Sequence, residues 1–344
     1  MSIFQIHQCF VALNKDNRVV IWGNRELGNV TNFIPQAESL RDVKSISCST
    51  SCMAALCLDG TVVVVGHNSF NQLDVPEGLG DVMSVICMEK CVVTLKNDGI
   101  VVVWGSIEDN FYIPEGLNDV KSIYGMHGGG YVVALKYDGT IVCWGNINQL
   151  AKYGLANIPH ELNANDVKTI RCTHEHILVL KNDGTVVAWG DNSFGRCDVP
   201  LGLTVVKSIH AGNGYCFAVR HNKSIVYWGL GFEDAKVTME SLTEYKSIHS
   251  GYFSVVVVNN DGTALKICVV FNQPESLENF NDISQIHFTK SVFWGVKSDG
   301  SIVSSNLGLL GNNPHYIDVP EDFRMNTSSE EDDDWRNNLE IILK

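Results

Sequence analysis

"LKNDGTVVAWGDN", Leu180–Asn192, holds a strand, a tight turn and a second strand in thirteen residues. Asp183-Gly184 is a hairpin-turn dipeptide, and Thr185 to Trp189 is a β-branched apolar run bounded by turn formers. The phrase recurs. Aligned on its Trp-Gly pair, the chain shows eight copies, with Trp22, Val65, Trp104, Trp144, Trp189, Trp228, Ile267 and Ser305 in the Trp slot. Glycine follows in six of them and lapses to Cys268 and Asn306 in the last two. Successive spacings are 43, 39, 40, 45, 39, 39 and 38 residues. A period near 40 with short strands and turn glycines predicts a propeller or a β-solenoid rather than helical repeats.

Each copy carries a second phrase before the hairpin: "VKSI" at Val43, Val120 and Val206, "VKTI" at Val167 and "YKSI" at Tyr245. After Trp-Gly comes a polar turn and a "DVP" segment, at Asp74, Asp198 and Asp318. The expected unit is three strands and a short fourth at the sheet edge, where a proline costs no ladder bond. Ser2 stands as far before Asp16 as Ser45 before Asp59, so the N-terminus begins inside a unit. The last unit ends at "DVPEDF" with no further "VKSI". The two ends are therefore expected to close a ring, with Ser2–Phe10 completing the sheet begun near Asn306–Phe323.

"VVAWGDNSFGRCDVPLGLTVVKSIHAG" (Val186–Gly212) and "VGHNSFNQLDVPEGLGDVMSV" (Val65–Val85) closely resemble the repeat of the regulator of chromosome condensation family. The resemblance runs over residues 2–323 and implies an all-β, closed β-propeller of RCC-type repeats. Eight units are counted, near 2–42, 43–81, 82–119, 120–166, 167–205, 206–244, 245–282 and 283–323. Family members usually have seven blades, so seven is the alternative. Residues 324–344 form an acidic tail with a short C-terminal helix. The resemblance implies one of three functions: a protein-interaction module, an exchange factor for a Ran-like small GTPase, or an enzyme inhibitor. A shared fold does not choose among them.

Composition narrows the field. Net charge is −14, which argues against nucleic acid and anionic membrane and suits a basic protein partner. No apolar run is long enough to span a membrane, and the N-terminus reads as a repeat strand rather than a leader. Eleven cysteines, an odd number, point to reduced thiols in the cytoplasm, with the nucleus also open. A monomer without cofactor is expected.

Cys48 and Cys52 are spaced like Cys87 and Cys91, a pairing that first suggests a metal site. The repeat register gives a plainer account. Cys48, Cys87 and Cys172 share a slot with Gly125, Ala211 and Ser250, which favours small side chains. Cys9, Cys52 and Cys91 share another with Tyr131, His176, Tyr215 and Ser254. His210, His249 and His287 fill one slot in three consecutive units, as a metal or pH-sensitive cluster or as a polar channel lining. The lining is the expectation. No catalytic motif is present: "HGGG" (His127–Gly130) resembles an oxyanion loop but lacks a nucleophile elbow. The chain reads as a non-enzyme.

Two departures from the repeat are candidate partner contacts. The long link Asn146–Asp166 offers Leu150, Tyr153 and Leu155 on an expected surface loop. In the tail, Trp335, Leu339, Ile342 and Leu343 form an apolar helical stripe behind an acidic first turn.

Overall fold

A computed structural model describes residues 3–6, 9–23, 33–107, 111–125, 130–160, 162, 166–231, 233–268, 274–277, 279–289, 292–305, 319–320 and 323–325. Their strands fall into eight antiparallel sheets, one per repeat. The second sheet (Val43–Cys48, Cys52–Cys57, Val62–Gly66) and the fifth (Val167–Cys172, His176–Lys181, Val186–Gly190) show the pattern. The chain divides into two compact units, Met1–Gly130 with Ser284–Lys344, and Tyr131–Ile283.

The repeated residues each have a local physical task. In the Asp-Gly turn the aspartate side chain accepts from the residue two positions on. Asp183 Oδ1 takes Thr185 N at 2.9 Å and Thr185 Oγ1 at 2.6 Å. Those bonds hold the carboxyl below the usual carboxylate range, as they do at Asp59 and Asp261. These acids are turn clasps. The glycine after Trp pairs with the first residue of the second strand, as in His176↔Gly190 and Cys52↔Gly66. Gly190 has φ 116°, and a Cβ there would sit 2.6 Å from Glu175 O. Only glycine fits.

Three of the tryptophans join neighbouring repeats. The indole N–H of Trp104 donates to Gln72 O, that of Trp189 to Leu155 O, and that of Trp228 to Arg196 O, all at 2.9 Å. In each case the acceptor lies in the connection leaving the preceding sheet. A buried ring thus fills the space between sheets while its one donor ties down a loop.

In the first unit, Ile3, Phe10 and Trp22 pack with Trp294, Val296, Phe323 and Met325. Trp22 and Trp294 meet edge to face at 5.4 Å. The two ends also share backbone bonds. Lys15 N donates to Arg324 O at 2.9 Å, where the second sheet has Leu58 N to Asp42 O. Met325 N donates to Gly300 O at 2.9 Å, where Val43 N bonds Asn17 O. Arg324-Met325 thus stands in register as the entry to the first sheet. Phe4–Ile6 pairs with the second strand of its own sheet, Phe4↔Val11 and Ile6↔Cys9, and residues 306–318, with which it was expected to complete a sheet, lie outside the described residues. Ser2 and Asn306 lie outside the described residues.

The expected fourth strand is corrected. Among the described residues it forms on its own sheet only at Pro274–Ser276, whereas Phe111–Tyr112, which follows the third sheet, pairs instead with Ile141–Asn146 of the fourth. Elsewhere the connection turns inward instead. The side chain of Asn68 donates to Asp74 Oδ1 at 2.9 Å and accepts from Leu73 N at 2.9 Å, closing "NSFNQLD" into a loop. Three connections contain short helices: α1 (Ile34–Ser39), α2 (Ile147–Tyr153) and α3 (Glu233–Ser241). Asn146 caps α2 through Gln149 N at 3.1 Å, and Gly154 ends it in the left-handed region.

Candidate protein-binding face

Because the second strand begins opposite the end of the third, two loops of every repeat lie at the same sheet end. In the fifth and sixth repeats these are Thr173–Glu175 with Asp191–Cys197, and Gly212–Gly214 with the chain after Gly229. Backbone bonds join each pair, Asp191 N to Glu175 O and Leu230 N to Gly214 O, both at 2.8 Å.

Arg196 anchors this end of Tyr131–Ile283. Its buried guanidinium pairs with Glu175, and Nη2 lies 3.2 Å from Asp191 Oδ2. Nε donates to Ser193 O at 2.9 Å. Burial works to raise the Asp191 carboxyl, but bonds from Ser193 and the Arg196 charge leave it below the usual carboxylate range. His176 lies beneath, with Nδ1 2.8 Å from Thr173 Oγ1 and Nε2 3.2 Å from Cys216 Sγ. Burial and the Arg196 charge push it down to about 3, so it is neutral near pH 7.

Above this polar anchor stands Phe194, 64% exposed and held at φ 65°, ψ 11°. A bulky residue seldom adopts that conformation, and where one does the strain accompanies a surface role. The Arg196 guanidinium lies 5.7 Å from the ring centroid. A Cβ on Gly214 would touch Leu230 at 3.3 Å and Phe194 at 3.7 Å, so these side chains flank that turn. On its other side, Asn213 N donates to Tyr252 O at 2.8 Å. Tyr252 and Phe253, 43% and 44% exposed, meet edge to face at 4.6 Å. Phe194, Leu230, Tyr252 and Phe253 thus form an aromatic-rich patch across three consecutive repeats.

One register slot bridges neighbouring repeats at this end. Tyr131 donates its hydroxyl to Thr173 O at 2.5 Å, and Tyr215 donates to Gly251 O at 2.9 Å. His176 reaches Cys216, and Cys52 reaches Cys87. The alignment placed these residues in one slot without revealing that the slot spans a gap.

Leu150 and Leu155 are corrected as contacts. Leu150 is 7% and Leu155 0% exposed, because α2 folds its apolar face inward and Leu155 O receives Trp189. Tyr153 stays half-buried against His174 at 6.1 Å, with Lys152 Nζ 4.7 Å above its ring. Trp335, Leu339, Ile342 and Leu343 lie outside the described residues, as does most of "HGGG". His210, His249 and His287 are all buried. His210 stacks on Phe217 at 4.5 Å and meets Ser208 at 3.0 Å, and His249 meets Ser247 at 2.8 Å. Among the described residues no three His, Cys, Asp or Glu side chains could together hold a metal ion. Nor is any described helix long and apolar enough to cross a membrane.

Residues 167–196, the fifth repeat, match the family described as the regulator of chromosome condensation (RCC1) repeat. The fifth repeat is thus of the RCC1 type, and the fold is a β-propeller. Its fold is similar to the CRINKLY WD40 ectodomain of the Arabidopsis thaliana receptor kinase ACR4, with TM-score 0.52 and 17% identity over 81% of this chain and 97% of that one. The ectodomain of the Physcomitrella patens receptor kinase CR4 gives TM-score 0.53 and 16% identity over 78% and 74%. The computationally designed Ika8 protein gives 0.51 and 13% over 88% and 94%. At such identities the likeness speaks for the fold alone. A search of curated proteins finds no match.

Proposed function

We propose that this propeller is a non-enzymatic interaction module, and that the loop face around Phe194 docks a protein partner. The observation that carries the reading is Phe194 itself. A large apolar ring is held in strained backbone, mostly exposed, over a buried Arg196 fixed by Glu175. Aromatic side chains on a rigid base, ringed by polar groups, are the usual anchors of protein interfaces. The net charge of −14 would steer a basic partner toward the chain.

The test compares wild type with Phe194→Ala/Tyr252→Ala/Phe253→Ala. Captured proteins are identified by mass spectrometry, and one is then purified and titrated by calorimetry. A partner whose affinity falls at least tenfold while the melting temperature holds supports the reading. Equal binding by both proteins removes this face from consideration. Acceleration of GDP release from Ran by catalytic amounts of the protein would instead make exchange its function.

A further inference from the structure

A pair of thiols bridging the second and third sheets is arranged differently from the other nine cysteines. Cys52 opens the second strand of the second sheet, and Cys87 closes the first strand of the third. Their sulfurs lie 2.7 Å apart, both buried. Two bonds clamp the strand ends across the gap: Cys87 N donates to Ser47 Oγ at 2.8 Å, and Ser51 Oγ to Glu89 O at 3.1 Å. Ser49 Oγ lies to one side of the pair, 3.4 Å from the Cys52 sulfur and 3.7 Å from that of Cys87. The backbone thus delivers the two thiols to each other before any bond forms.

The pair is also chemically unequal. A hydrogen bond from Cys87, helped by Ser49 and Ser51 against the cost of burial, holds Cys52 below an ordinary thiol. Burial pushes Cys87 well up, and Cys91 beside them to about 12. One sulfur is therefore suited to attack and its neighbour to resolve. Next to Cys52 in the chain lies the Ser49–Ser51 turn, whose Thr50 is exposed.

We propose that Cys52 and Cys87 are an oxidisable pair that hydrogen peroxide converts to a disulfide linking the second and third sheets. The Cys52 thiolate attacks one peroxide oxygen, the O–O bond breaks, and the hydroxide released takes up a proton as water. The resulting Cys52 sulfenic acid is attacked by the Cys87 sulfur. The S–O bond breaks, and the departing hydroxyl takes the Cys87 proton as a second water. Two thiols and one peroxide give one disulfide and two waters, the sulfurs supplying both electrons.

The full chain is exposed to hydrogen peroxide, denatured in an alkylating agent and mapped by mass spectrometry. The expected product has lost two hydrogens and carries a Cys52–Cys87 cross-linked peptide. Nine of the eleven cysteines stay alkylatable. Its melting temperature rises by roughly 5 °C or more, since the link closes a long loop, and reductant reverses the rise. Cys52→Ser and Cys87→Ser each abolish both effects, and Cys91→Ser keeps them. Serine already occupies the equivalent slots at Ser254 and Ser250, so these variants should fold. Linkage through any other pair, or Cys52 reaching sulfinic acid without linkage, overturns the proposal.

Discussion

The same loop end is built in two ways on the second and fifth sheets. "HNSFNQLDVP" (His67–Pro76) and "DNSFGRCDVP" (Asp191–Pro200) close through the same bonds, with Asn68 to Asp74 at 2.9 Å and Asn192 to Asp198 at 2.8 Å. Each presents a carbonyl to the next tryptophan, from Gln72 or from Arg196. What differs is charge. Gln72 is buried and neutral, and its side chain accepts from Phe70 N at 2.8 Å. Arg196 is buried and charged, and Glu175 and Asp191 stand where the second sheet has Ser51 and His67. Below, His176 replaces Cys52, and Phe194 takes a left-handed conformation that Phe70 does not. A common loop skeleton therefore carries either a quiet polar core or an ion cluster topped by an exposed ring. Turn chemistry fixes the skeleton, and the few residues that face each other decide the rest.

Removing the central charge should give the largest effect. Arg196→Ala leaves two partly buried carboxylates unpaired and should cost about 3 kcal/mol, against about 1 kcal/mol for Gln72→Ala. Urea melts of both variants test this. Arg196→Gln combined with Glu175→Gln and Asp191→Asn imitates the neutral arrangement and should regain most of that loss. If the triple variant is no better than Arg196→Gln alone, the two ends are not interchangeable.

Acid sensitivity separates His176 from Cys52 next. The folded imidazole titrates at about 3, whereas an unfolded one titrates near ~6.5. Below that value the unfolded chain takes up a proton that the fold refuses. The stability contributed by neutral His176 is complete above ~6.5 and falls as pH drops toward about 3. His176→Tyr, the residue this slot holds at Tyr131 and Tyr215, should shrink the stability difference between pH 7 and pH 5 by about 2 kcal/mol. An unchanged pH profile in chemical denaturation would mean that His176 takes up its proton as readily in the fold as in the unfolded chain.

Cys52→Ser should change stability under reducing conditions by less than ~1 kcal/mol, because the slot is small and already accepts serine. A larger loss in thermal melts would show that the thiol's contact with Cys87 holds the two sheets together even when reduced. The smallest effect should come at Phe194. Glycine there relieves the φ of 65° and should stabilise the protein by about 0.5 kcal/mol. Partner capture should fall at the same time. A destabilised Phe194→Gly would mean that the ring packs for the fold's sake.

Much of this was legible in the residues. The Asp-Gly turns, the Trp-Gly glycines and the phase of the first strands follow from local rules of φ, side-chain hydrogen bonding and alternation, so eight sheets could be counted from the repeat. The connections were not. The "DVP" stretches looked like strand, yet asparagine side chains two turns earlier close them into loops. Leu150 and Leu155 looked exposed because a sequence shows an insertion but not the direction in which a capped helix turns its apolar face.

The amino-acid sequence by itself determined a chain of short antiparallel units, because hairpin turns and strand periodicity are set within a few residues. Only the tertiary structure decided which side chains meet across the gaps between units. Cys52 lies 35 residues from Cys87, and Glu175 21 residues from Arg196, separations at which no local rule acts. Their proximity is a product of packing one sheet against the next, so the thiol pair, the ion cluster and the aromatic patch above it exist only once the sheets are in place.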